Sequence, residues 1–173
     1  MRRSGLVLTL VLVVLGIAAI PARGDSKAAQ ADYLPDGAGS SIVTVSPSGE
    51  VRSELIVMTQ ALVTKERGPR RSLRAFGETY AFLPSTLVMR AEEPTRVIFW
   101  NLQDDDAHDF MLADAAGDVL MKVTLPALSK RSWVFTFHQP GLLHFYCTVH
   151  QPEMSGEILV LPPGVVPSGP SAR

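Results

Sequence analysis

With 173 residues, a formal charge of −1, 46% hydrophobic and 19% charged residues, the chain can build one domain with a substantial core plus extensions. It shows no clustered basic face with aromatics, which excludes nucleic-acid binding as its business. Its single cysteine, Cys147, excludes an internal disulfide and leaves the thiol to another use.

Arg2 and Arg3 precede an uninterrupted apolar or small run over residues 5–20, and Ala22-Arg23-Gly24 follows with small residues at the spacing a signal peptidase accepts. Two readings stay open: residues 1–24 are a cleaved secretory signal, or the run is a retained anchor, although it is shorter than the roughly 20 residues that span a bilayer comfortably. Either places the domain in the periplasm or outside the cell. Cleavage after Gly24 would remove Arg2, Arg3 and Arg23 and leave a formal charge of −4.

Residues 25–71 read as a linker. Ala, Ser, Gly, Asp and Pro dominate its first half, where only Ile42-Val43-Thr44-Val45 looks strand-like. Val51, Leu55, Met58 and Leu62 then recur at helical spacing and predict one amphipathic helix over residues 50–66, closed by Gly68-Pro69. Arg67, Arg70, Arg71 and Arg74 form a basic cluster, read as a solvated linker or a contact for anionic headgroups.

Residues 72–161 carry a β pattern. Short runs at 73–80, 85–90, 95–101, 109–113, 119–125, 132–137, 142–147 and 156–161 are separated by turn signals such as Glu93-Pro94, Ala116-Gly117-Asp118 and Gln139-Pro140-Gly141. About eight strands at this spacing predict an all-β, Greek-key β-sandwich with a short N-terminal helix outside the core. Trp133, Phe135 and Phe137 share one face, expected in the core. In the next run Leu143, Phe145 and Cys147 share one side and Leu142, His144 and Tyr146 the other, so the thiol emerges from the core-facing row at the strand's end. Residues 162–173, rich in Pro and Gly, are expected to form a disordered tail.

The chemistry gathers in Cys147-Thr148-Val149-His150-Gln151-Pro152-Glu153-Met154. A thiolate, an imidazole and a thioether in one short loop are donors for copper, and a His₂Cys plane with a long, weak Met contact suits one-electron transfer. The loop lacks one imidazole, which His108 is placed to supply if the fold brings it near. A dinuclear copper centre needs two bridging cysteines, and a trinuclear cluster needs more than His108, His138, His144 and His150. Zinc makes poor use of a thioether. A Cys-His hydrolase fits less well, because Cys147 and His150 share their loop with Met154. His144 and His138 read as surface residues, His144 with an accessory metal role as its alternative. Asp104, Asp105 and Asp106, with Asp109 nearby, read equally as a solvated loop or as a lure for a basic partner.

Gly141-Leu142-Leu143-His144-Phe145-Tyr146-Cys147 and the Cys-x2-His spacing that follows resemble the cupredoxins, specifically their plastocyanin and amicyanin branch, over residues 73–161. The resemblance implies one copper ion with His108, Cys147 and His150 as equatorial ligands and Met154 as axial ligand. It also implies single-electron exchange with a redox protein such as a cytochrome or an oxidase, in a monomer that transforms no substrate and is not an enzyme. Copper storage, delivery or tolerance is the alternative function. Two departures stand out: a His-x3-Met spacing intermediate between the amicyanin and plastocyanin loops, and Asp109 where the family usually carries Asn.

Overall fold

The computed structural model describes residues 32–35 and 41–164. The expected signal or anchor and most of the expected tail therefore lie outside the described residues; among the described residues no helix is long and apolar enough to cross a membrane.

The described chain forms β1 (Val43–Ser46), β2 (Ser53–Val63), α1 (Arg70–Phe76), β3 (Thr79–Leu83), β4 (Thr86–Arg90), β5 (Thr95–Asn101), β6 (His108–Ala113), β7 (Val119–Leu125), β8 (Ser129–Phe137), β9 (Gly141–Tyr146) and β10 (Ser155–Leu161). They make two five-stranded sheets, ordered β1-β8-β5-β2-β3 and β4-β10-β9-β6-β7. The expected β-sandwich is present, and the chain crosses repeatedly between its layers. Alternation works as the sequence implies: Val97 and Phe99 in β5, Trp133, Phe135 and Phe137 in β8, and Leu143 and Phe145 in β9 are buried.

Two local expectations fail. The helix predicted over residues 50–66 is the strand β2, pairing parallel to β5 and antiparallel to β3. Its inward row is Leu55, Val57, Thr59 and Ala61, while Leu62, which completed the helical pattern, is half exposed. The β-branched Ile56, Val57, Thr59 and Val63 favour a pleated strand, and a neighbour on each side satisfies its backbone. The sandwich consequently begins at β1, well before residue 72, so much of the expected linker belongs to the domain.

The helix outside the core is instead α1, in a stretch split between expected linker and expected strand. Pro69 precedes it, Gly77 ends it with φ 79° while donating its N–H to Leu73 O at 2.9 Å, and none of its residues is buried. The expected strand over 73–80 thus becomes a helical turn followed by β3.

The segment at residues 32–35 lies along the edge of β7. Tyr33 exchanges backbone hydrogen bonds with Lys122 at 2.7 and 2.8 Å, and Asp32 accepts from Thr124 N at 2.7 Å and from Arg131 Nη1 at 3.0 Å.

Aromatic packing fixes the end of the sandwich that matters for function. Phe110 of β6 stacks on Phe145 of β9, centroids 5.1 Å apart, and Phe82 and Phe99 pack around them. Two residues from Phe110 is His108, and two from Phe145 is Cys147. The period of two places each on its phenylalanine's row, one step nearer the end of the sheet.

Candidate metal centre

His108 starts β6, and Cys147 directly follows β9. The eight-residue loop from Cys147 to Met154 folds back on itself. Cys147 N donates to Met154 O at 2.9 Å, Met154 N donates to His150 O at 3.0 Å, and Gln151 Nε2 donates to Cys147 O at 2.9 Å. These bonds return Met154, fully buried, to the level of the cysteine it leaves seven positions behind.

The result brings donor atoms from both segments together. His108 Nδ1 and His150 Nδ1 are 3.1 Å apart, and Cys147 Sγ lies 4.0 Å from the first and 3.7 Å from the second. One ligand atom from each of the three residues falls within 4.8 Å of the others. A trigonal centre with metal–nitrogen bonds of about 2.0 Å and a metal–sulfur bond of about 2.3 Å needs edges of roughly 3.5 to 3.8 Å, so the triangle suits a single first-row ion. Its soft thiolate and neutral imidazoles match copper.

Both imidazoles are held neutral. Burial lowers the His108 pKa from 6.5 to about 4, the neighbouring His150 adds to the fall, and the carboxylates of Asp106 and Asp109 oppose it. Burial also lowers His150. A network of polar side chains fixes which nitrogen of His108 is free: Nε2 lies 2.9 Å from Gln103 Oε1, an acceptor only, so Nε2 carries the proton and Nδ1 presents its lone pair to the site. Gln103 is seated in turn by Thr59 Oγ1, by a 3.1 Å bond from its own N–H to Asn101 Oδ1, and by a 3.4 Å bond from its Nε2 to Thr59 O. Asn101 closes the set by donating to Asp106 O at 2.8 Å and Leu125 O at 3.0 Å. Such outer partners orient a metal ligand and raise its basicity.

Burial pushes the Cys147 thiol up, and the Asp109 charge adds to the rise, while backbone hydrogen bonds from Asp109, Val149 and His150 favour the thiolate. Its deprotonation is therefore coupled to the arrival of a cation. Tyr80 of β3 closes the site from the other sheet, with ring centroids 4.3 Å from His150 and 5.1 Å from His108 and its hydroxyl bonded to Asp106 Oδ2. His108 and Cys147 are buried and His150 is half-buried, so the centre meets solvent along one imidazole edge.

The structure gathers His108, Cys147 and His150 as the sequence reading anticipated. His138 lies at the surface against Thr44 and Glu92, and His144 against Glu157 3.8 Å away, and neither belongs to the cluster. The acidic run divides: Asp104 and Asp105 are exposed, Asp106 is half-buried under Tyr80, and Asp109 is buried. Sequence reasoning missed Thr59, Tyr80, Asn101 and Gln103. A signal existed for Asn101 and Thr59, which occupy inward positions of otherwise apolar rows and so had to find partners. Tyr80 shares its row with Phe82, and nothing in that pattern distinguishes a core aromatic from one that faces a site.

No protein-family model matches the chain, and no curated protein does. Among solved structures, auracyanin B matches with a TM-score of 0.48 at 16% identity, covering 71% of this chain and 100% of its own. Auracyanin A, a "blue" copper protein of the photosynthetic bacterium Chloroflexus aurantiacus, matches with a TM-score of 0.45 at 16% identity, covering 62% and 98%. A reduced amicyanin variant matches with a TM-score of 0.43 at 16% identity, covering 69% and 99%. The two-sheet fold and a donor set suited to one copper ion agree with what the resemblance of residues 73–161 to the cupredoxins implies.

Proposed function

We propose that this protein is a mononuclear copper protein that carries single electrons between larger redox partners, with His108, Cys147 and His150 as equatorial ligands and Met154 as the axial ligand. The observation that carries the reading is the convergence of one thiol and two imidazole nitrogens at the end of a rigid sandwich. Bound copper would supply a Cu(I)/Cu(II) couple. The chain's own part is to hold the donors still. Stacked Phe110 and Phe145 fix the two ligand strands, Gln103 fixes the His108 tautomer, and Tyr80 packs against both imidazoles. A site held this way changes little when its charge changes, which favours fast electron exchange. The half-buried His150 edge offers the way in and out.

We read the protein as a carrier rather than an enzyme. It acts in the periplasm or outside the cell, freed by loss of residues 1–24 or tethered through residues 5–20. It works as a monomer, and its partner is a redox protein such as a cytochrome or an oxidase. Copper storage or delivery is the competing reading. Burial of His108 and Cys147 within a hydrogen-bonded frame supports the carrier, because delivery wants donors an acceptor can reach.

The test is the visible spectrum of the domain lacking residues 1–24 after addition of Cu(II). An intense thiolate-to-copper band, absent in Cys147→Ser, is the expected result. A colourless protein that binds Cu(I) and gives no band on oxidation would overturn the carrier in favour of copper handling.

A further inference from the structure

Asp109 stands apart from the acidic run it adjoins in sequence. It is 6% exposed and reaches across to the ligand loop, accepting from Thr148 N at 2.6 Å and from the Thr148 hydroxyl. Lys122 Nζ of β7 lies 3.3 Å from Oδ2. The carboxylate therefore joins the residue following His108 to the residue following Cys147, and a lysine on the adjoining strand faces it.

We propose that Asp109 is a positioning residue that fastens the Cys147–Met154 loop to β6 and, through its charge, biases the copper couple toward Cu(II). The proposal rests on the copper reading above. Both oxygens of the carboxylate accept, Oδ1 from the Thr148 amide and Oδ2 from the Thr148 hydroxyl, and the Lys122 ammonium faces Oδ2, a setting that favours the anion. Oxidation removes one electron to the partner and leaves one more positive charge at the site. No bond forms or breaks at Asp109, and no proton moves. A fixed anion beside the site, in surroundings less polarisable than water, stabilises the oxidised form more than the reduced one. A fixed cation does the reverse. Asp109 therefore lowers the reduction potential and Lys122 raises it.

The signs supply the test. Copper-loaded wild type, Asp109→Asn and Lys122→Gln are titrated spectroelectrochemically on the thiolate band. Asp109→Asn keeps an oxygen for Thr148 N and removes the charge; its potential is expected above wild type, and that of Lys122→Gln below. Thr148→Val keeps both charges and loses the hydroxyl bond. It is expected to release copper to a chelator faster, with a potential close to wild type. Equal potentials in wild type and Asp109→Asn, or shifts of the same sign in both charge variants, would overturn the electrostatic bias while leaving the copper reading intact. An unchanged release rate in Thr148→Val would overturn the fastening. Should Asp109→Asn fail to fold, Lys122→Gln decides alone: a fall supports the proposal and no change or a rise overturns it. A wild type with no thiolate band overturns this proposal together with the copper reading.

Discussion

At the level of single residues, the centre is a place where protons and a cation compete for the same atoms. With a folded-state pKa of about 4 against an ordinary 6.5, His108 refuses a proton that the unfolded chain accepts, and His150 is shifted the same way. Between these values the unfolded state binds more protons, so metal-free protein is fully stable above about 6.5 and loses stability as pH falls toward 4. Asp109, whose pKa is depressed below 3.8, adds its own loss only below that window. Denaturant midpoints of the metal-free domain at pH 7.0 and 4.5 should show the decline. A flat profile would mean that the imidazoles are not buried neutral. Cys147, His108, His150 and Met154 were readable from the chain because donor chemistry and spacing are written in it. Gln103 and Tyr80 were not, because their partnership with the histidines exists only once β3 and β5 are packed.

At the level of elements, the ligand strands depend on close approach behind them. Gly156 of β10 faces Phe145 of β9, and a Cβ there would sit 2.2 Å from Ser85 O and 2.3 Å from Phe145 Cζ. The carbonyl belongs to the backbone, so β10 must shift away from it, and the Phe145 ring must move as well. Gly156→Ala is expected to cost about 1–3 kcal/mol by overpacking. It should also broaden or shift the thiolate band, which thermal melts and visible spectra of one preparation would show. An unchanged melting temperature would contradict the packing. The strand β2 shows where pattern reading misleads: four apolar residues at helical spacing coexist with an equally good period of two, and only pairing with β3 and β5 decides between them. The strands β5 and β7 were legible to the residue because alternation and flanking turns agreed there.

At the level of the whole molecule, charge is arranged unevenly. Asp104 and Asp105 are exposed on the loop that leads into His108, and with Glu66, Arg67 and Tyr80 they line a recess of about 370 Å³. If this loop guides a basic partner toward the His150 edge, replacing both aspartates with asparagine should slow association with a basic cytochrome by roughly several-fold at low ionic strength and flatten its salt dependence, leaving the spectrum untouched. Stopped-flow mixing at two salt concentrations measures this, and equal rates would assign the loop to solvent alone. The all-β architecture was legible because turn signals and alternation recur through residues 85–161. The first strands were hidden by a low-complexity approach and an ambiguous period. The short stretch at residues 32–35, bonded along β7, has a consequence of its own. A bare outer strand presents unpaired N–H and C=O groups to any passing strand and invites chains to zip together. By laying its own backbone against Lys122 and its Asp32 carboxylate against Thr124 N, the protein fills that template before a second molecule can.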